Sequence, residues 1–299
     1  MAMHEFTLTV VSPMFLNGAD TRQPELRAAS VRGQLRYWLR AYVGAETSDL
    51  SEVWRRESAV FGSTGQGSAV SVRLFEKSAL NIDSCDMLPH KANQRDRSPQ
   101  PAISPDTDAN LQLMTRPGVP MPGEAVTALK LWALLGGLGK RSRRMFGAFS
   151  LKGAEFSTPD TVDNYIEALK AALKKIKKVK DDLYKSSIPS FPTLHPKHAW
   201  IIVGRRSFDD HEDAVKHLFT ELLRSDQFRS EDKTFGSASP RRSAPLIAQV
   251  RRIGGKYYPI LTAIRSEPDK NIDWSHLKKF METAAQKNHF NAETVWGGW

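Results

Sequence analysis

Cysteine is almost absent from this chain: Cys85 stands alone among 299 residues. A single thiol excludes an intramolecular disulfide and a thiolate metal cluster. Long apolar runs are missing as well. No segment approaches the roughly 18 apolar residues that a membrane span needs. The opening MAMHEFTLTV has neither the basic start nor the apolar core of a signal peptide. These absences lead to the expectation of a cytoplasmic protein without a membrane partner. Acids are outnumbered, with 33 Asp and Glu against 43 Lys and Arg and a formal net charge of +10. That surplus points to an anionic partner, RNA or DNA first. An anionic membrane surface fits less well, because no long helix segregates basic from apolar residues. Forty per cent of the residues are hydrophobic, enough for real cores, and the length allows two domains.

The most distinctive stretch is LGGLGKRSRRMFGAF, Leu135 to Phe149, where Gly136, Gly137, Gly139 and Gly147 bracket Lys140, Arg141, Arg143 and Arg144. Glycines let a ligand approach the backbone closely, and cations this dense repel unless water or an anion lies between them. A phosphate loop of the nucleotide-hydrolysing type would need glycine and Ser/Thr where Leu134 and Arg141 stand. No other cofactor fingerprint is present, so no cofactor is expected. Taken alone, the cluster also fits a solvated turn at a helix C-terminus, where cations suit the dipole.

A helix is predicted from Ser30, a good N-cap, to about Val43, reading SVRGQLRYWLRAYVG. Val31, Leu35, Trp38, Leu39 and Tyr42 form its apolar stripe, which assigns Trp38 to the core rather than to base stacking. Arg32, Arg36 and Arg40 recur every fourth residue on another face. No acid lies between Arg27 and Ala45 to neutralise them locally, so the row reads as an anion-facing ridge. Gly33 is poor helix chemistry and suits a place where something must come close.

Around these stretches the pattern is regular. A strand is expected at His4 to Val11, and the turn FGSTGQGS precedes another from Ala69 to Phe75. Lys77 to Asn110 reads as a polar, proline-punctuated loop holding His90, Lys91, Arg95 and Arg97. A strand at Leu111 to Thr115, a helix at Glu124 to Leu135 and an extended segment from Ala148 follow. A long helix is predicted from Asp160 to Tyr184, its lysines on a solvated face, before a proline-rich linker. The order then repeats: strand His198 to Gly204, helix Asp209 to Arg224, two strands around Gly254-Gly255, and helix Asp273 to Gln286. A short strand from Ala292 closes the repeat. Phe61-Gly62-Ser63 is echoed by Phe235-Gly236-Ser237. The expectation is an α+β protein of two tandem βαββαβ units with glycine-rich loops. Residues 1–155 form the first, 156–196 a linker with a basic helix, and 197–299 the second. The run Asp209 to Asp213 reads as an acidic helix start rather than a metal site.

Together, ELRAASVRGQLRYWLRAYVG, FGSTGQGS, GGLGKRSRRMFG and FGSASPRRSAPLIAQV resemble the RAMP superfamily of CRISPR proteins. Within it, the similarity points to the first-numbered Cmr subunits of type III-B effector complexes. The resemblance implies ferredoxin-like domains of the RNA-recognition type, facing each other across a basic cleft. It also implies partners: guide RNA, target RNA and other Cmr RAMP subunits, near the 3′ end of the guide, in antiviral defence. The motif positions it carries over are Arg27, Ser30, Arg32, Gly33, Arg36, Trp38 and Arg40, then Lys140, Arg141, Arg143 and Arg144, and finally Arg241 and Arg242. With Gly137 and Gly139 these make up the expected RNA-binding set; no catalytic or metal-binding residue is expected. The alternative is a metal-independent RNA endonuclease, like repeat-processing RAMP relatives. It would need a general base near a 2′-hydroxyl, and His4, His90, His195 and His198 are its candidates.

Overall fold

The computed structural model describes residues 1–87, 99–176, 183–184, 187–229, 234–239, 241–266 and 272–299. His90, Lys91, Arg95 and Arg97 lie outside that set. The chain opens with β1 (Met3–Val10), which buries Phe6, Leu8 and Val10 and turns the alternate residues outward. Helix α1 (Ala28–Val43) begins earlier than the sequence suggests. Arg27 is the N-cap, without a side-chain cap bond. Ser30 already donates its backbone N–H to the Arg27 carbonyl, so it cannot serve as the cap expected of it.

Helix α2 (Leu50–Phe61) has no counterpart in the expectations; Asp49 caps it by accepting from the Ser51 N–H. After β2 (Val70–Glu76), part of the stretch expected to be irregular forms a hairpin, β3 (Ile82–Asp86) with β4 (Pro99–Ile103). Its prolines, Pro99 and Pro101, are tolerated because the outer edge of β4 is bridged only at Ile103, by Met14, among the described residues. β5 (Asp108–Thr115), α3 (Gly123–Leu135) and β6 (Phe149–Gly153) complete the first half. Its principal strands pair antiparallel in the order β2-β5-β1-β6.

Helix α4 (Val162–Leu173) is capped by Thr161, which accepts from the Asn164 N–H. It stops far short of Tyr184, and Lys177, Lys178 and Lys180 of the expected helix lie outside the described residues. The second half follows with β7 (Ala199–Gly204) and α5 (His211–Lys216), which runs on into π-helical turns over His217–Leu223. Then come β8 (Ser237–Ala238), β9 (Arg241–Arg242), β10 (Leu246–Ile253), β11 (Lys256–Ile264), α6 (Trp274–Ala285) and β12 (Ala292–Gly297). The second sheet is also antiparallel, in the order β10-β11-β7-β12. Counting principal strands within each half, both sheets read 2-3-1-4. The architecture is therefore mixed α and β with antiparallel sheets, as expected.

The two sheets are buried differently, and this positions everything else. All six residues of β7, AWIIVG, are buried, because both faces of that strand are covered. Ile201 and Val203 join a core with Leu129, Trp132 and Leu169 from the first half and α4. Trp200 and Ile202 pack on the other side with Val215, Leu277 and Phe280. The Arg251 side chain crosses this junction fully buried. Its guanidinium donates to the carbonyls of Ala133 (3.1 Å), Gly136 and Val250 and to Gln249 Oε1, and stacks over Phe149. Two of those carbonyls end α3, where a helix leaves orphan acceptors and a negative dipole end.

Candidate nucleic-acid interface

The row on α1 survives, with a partner that local spacing could not reveal. Arg36 and Arg40 both bind the carboxylate of Glu57, Arg40 at 3.2 Å, and Glu57 is buried on α2. The expectation that no acid neutralises the row is thus corrected: the counter-charge arrives from a neighbouring helix. One carboxylate serves two guanidinium groups, so the row keeps a surplus positive charge. Arg32 donates instead to the Phe61 carbonyl at the end of α2, tying the row to the FGSTGQGS turn. Arg27 reaches Glu25 (3.3 Å) and the Asn17 carbonyl. A Cβ on Gly33 would meet nothing within 4 Å. No packing among the described residues requires glycine there, although glycine costs a helix roughly 1 kcal/mol relative to alanine.

The glycine-rich turn after α3 is held from both sides. Lys140 donates its N–H to the Phe15 carbonyl, Gly147 to that of Pro13 and Met145 to that of Ala248. Gly139 and Gly147 adopt left-handed φ values of +88° and +61°. A side chain at Gly147 would run into the Leu138 carbonyl, so glycine is obligatory there. Gly137 lies close against the Gln249 amide. These glycines therefore serve close packing between segments, whatever else approaches them.

Of the four cations, two are structural anchors. Arg143 donates to the Ala244 carbonyl and lies over the Tyr37 ring of α1, 5.2 Å from its centroid. Arg144 donates to the Phe235 carbonyl. Burial first, then the charges of Arg141 and Arg143, pull its guanidinium down to about 10. Lys140 is exposed, and burial also lowers Arg141. Arg241 and Arg242 lie on β9, paired through their backbones with Ala238 and Ser237. The structure therefore brings four distant segments together. Arg32 joins α1 to the turn at Phe61, Arg143 joins the glycine turn to α1, and Arg143 and Arg144 join it to Phe235 and Ala244. The sequence reading missed α2, and with it Glu57. The pattern Asp49-x-x-Glu52 ahead of Val53, Val60 and Phe61 was the available signal.

Other surfaces suit a polyanion less well. The outer face of the first sheet carries Glu5, Thr7 and Thr9 on β1 and Asp108, Asn110, Gln112 and Met114 on β5. Its two central strands offer no aromatic ring for stacking. A cleft of about 750 Å³ beside Tyr42 holds Glu46, Glu52 and Glu124 around Arg56. Carboxylates dominate it, which repels phosphate.

Of the candidate histidines, the three among the described residues are placed for structure. His195 is 1% exposed and His198 7%, and both rings stand edge-on to Tyr184. His4 lies 3.9 Å from Glu155. In the acidic run, Asp210 caps α5 and Asp209 binds Lys256 at 2.6 Å, as a helix start should. Burial first, then Arg265, His195 and Lys197, pull the His198 imidazole down to about 4. The unfolded chain accepts a proton near pH 6.5 that the folded chain refuses. Stability is therefore full above that pH and is lost as pH falls towards 4. Between pH 7 and pH 5 this group should cost about 2 kcal/mol. Urea titrations at the two pH values check it: His198→Gln should show a correspondingly weaker pH dependence, and an equal dependence in both proteins would refute the assignment.

Comparison with known proteins agrees with this geometry. Residues 7–150 match the RAMP superfamily. CRISPR system Cmr subunit Cmr1-1 of Pyrococcus furiosus is 26% identical over 361 aligned positions, spanning 100% of this chain and 99% of that one. Cmr subunit Cmr1-2 of the same organism is 44% identical over 72 residues, 23% of this chain and 37% of that one. The crystal structure of apo Cmr1 from Pyrococcus furiosus superposes with a TM-score of 0.69 at 21% identity, covering 100% of both chains. A chain of the type III-B Cmr-beta assembly bound to cognate target RNA gives 0.64 at 11% identity, covering 94% of this chain and 98% of that one. Motifs, fold and full-length relative agree: residues 7–150 match the RAMP superfamily, and the whole chain is similar to the Cmr1-1 subunit of a CRISPR system.

Proposed function

We propose that this chain is a non-catalytic, RNA-holding subunit of a type III-B CRISPR effector complex, working in the cytoplasm in antiviral defence. It would grip guide and target RNA near the 3′ end of the guide, beside other Cmr RAMP subunits. The observation that carries the reading is the convergence of the α1 arginine row, the two glycine turns and the Phe235–Ala244 segment on one surface. Arginines there fork onto phosphate oxygens, and each phosphate neutralised releases condensed counterions. A whole-length relative named as a Cmr subunit and a like-folded chain in an RNA-bound Cmr assembly support it.

The repeated 2-3-1-4 strand order supports two ferredoxin-like units, 1–155 and 197–299, joined by 156–196. RNA-recognition domains stack bases on an open sheet. Here the outer face of the first sheet carries no ring on its central strands and β7 of the second is covered on both faces, so binding falls to the helix row and the turns. The buried placement of His195 and His198 argues against the endonuclease alternative, since a general base must reach the proton it takes. Expressing the full chain with the genes of its own effector complex and sequencing what co-purifies tests the reading. Guide-derived RNA and RAMP subunits are expected; recovery of the chain free of both would overturn it.

A further inference from the structure

Helix α2 runs back along α1, so each step down one helix meets an earlier residue on the other. Arg32 reaches Phe61, while Arg36 and Arg40 reach Glu57. Trp54 lies three residues before Glu57 and four before Ser58, on the same face of α2, and Leu50 lies one turn further. Glu57, Ser58 and Phe61 are buried, but Trp54 is 58% exposed and Leu50 56%. The buried stripe of α2 continues inward through Val53, while Trp54 and Leu50 flank it and stay in solvent. The other rings near the row are engaged: Trp38 is 1% exposed, and Arg143 covers Tyr37.

Charge decides what fits this shelf. Arg40 is 43% exposed at its side chain and shares one carboxylate with Arg36. Arg55, on the same helix, is already held by Glu52 at 2.7 Å. Two adjacent apolar side chains make a small platform, and the neighbouring surplus is cationic. An open indole one helical turn from the carboxylate that Arg40 shares matches a group that carries a flat ring and an anion together. A nucleotide is such a group: its base stacks on the ring while its phosphate meets the cation.

Resting on the RNA reading above, we infer that Trp54, with Leu50 beneath it, is a stacking subsite for an unpaired base of single-stranded RNA whose phosphate is held by Arg40. The full-length protein, Trp54→Leu and Trp54→Phe are titrated with a labelled single-stranded oligouridylate and with an RNA duplex of equal length. Trp54→Leu should weaken single-strand binding by about 5- to 100-fold. Duplex binding and the salt slope should stay unchanged, and Trp54→Phe should recover most of the loss. Unchanged single-strand affinity in Trp54→Leu, beside a wild type that binds, would overturn the stacking subsite and leave the RNA reading intact. Equal losses on strand and duplex would also overturn it. So would intact RNA binding with lost association to neighbouring subunits, which would make the shelf a protein interface. A wild type that binds neither RNA would sink the functional reading itself.

Discussion

Arg251→Met should cost the folded protein about 3–5 kcal/mol, read as a shift of the urea midpoint followed by circular dichroism. Methionine nearly fills the volume, so the cavity contribution is small and the loss is polar. It strands the carbonyls of Ala133 and Gly136 at the end of α3 and removes a partner from Gln249 Oε1. Buried acceptors left unmade cost about 1–3 kcal/mol each. Among the described residues no carboxylate takes part: the cation is stabilised by carbonyl dipoles and the face of Phe149. Arg251→Lys should recover only part of the loss, because one ammonium cannot reproduce a planar fork. Arg251→Met within about 1 kcal/mol of wild type would show that the guanidinium does not join the halves.

Removing Arg40, Lys140 and Arg141 together, each to alanine, should lower RNA affinity by one to two orders of magnitude near 0.1 M salt, roughly evenly across sequences. The slope of log affinity against log salt should fall by about 2, since each single-strand phosphate contact contributes about 0.7. The choice of residues comes from the geometry. Arg143 and Arg144 hold the carbonyls of Ala244 and Phe235, so their removal would confuse lost binding with lost packing. Arg36 is kept so that the buried Glu57 retains one guanidinium. A triple variant with unchanged slope would remove the site assignment.

Strand alternation and capping made much of the architecture legible. β1 and β7 lie within a residue of their expected bounds, β10 and β11 flank Gly254-Gly255 as expected, and Asp273 caps α6. Where the reading failed, a local rule lost to a distant partner. The arginine row looked unneutralised because Glu57 sits on another helix, a long-range contact that spacing along α1 cannot encode. The four cations at 140–144 looked equivalent, yet two are spent on backbone carbonyls contributed from about a hundred residues away. Ser30 was a sound cap by type, but the chain turns helical three residues earlier. Trp38 was read correctly as core, since its spacing shares the stripe with Val31, Leu35 and Tyr42.

The hydrophobic underside of β7 and β11, formed by Ile201, Val203, Ile260 and Ile264, rests on side chains made earlier in synthesis, among them Leu129, Trp132 and Leu169. The later portion of the polypeptide therefore emerges from the ribosome onto a template already released. Until it settles there, an aliphatic surface stays wet, and this is the interval in which the newborn chain is most prone to stick to others.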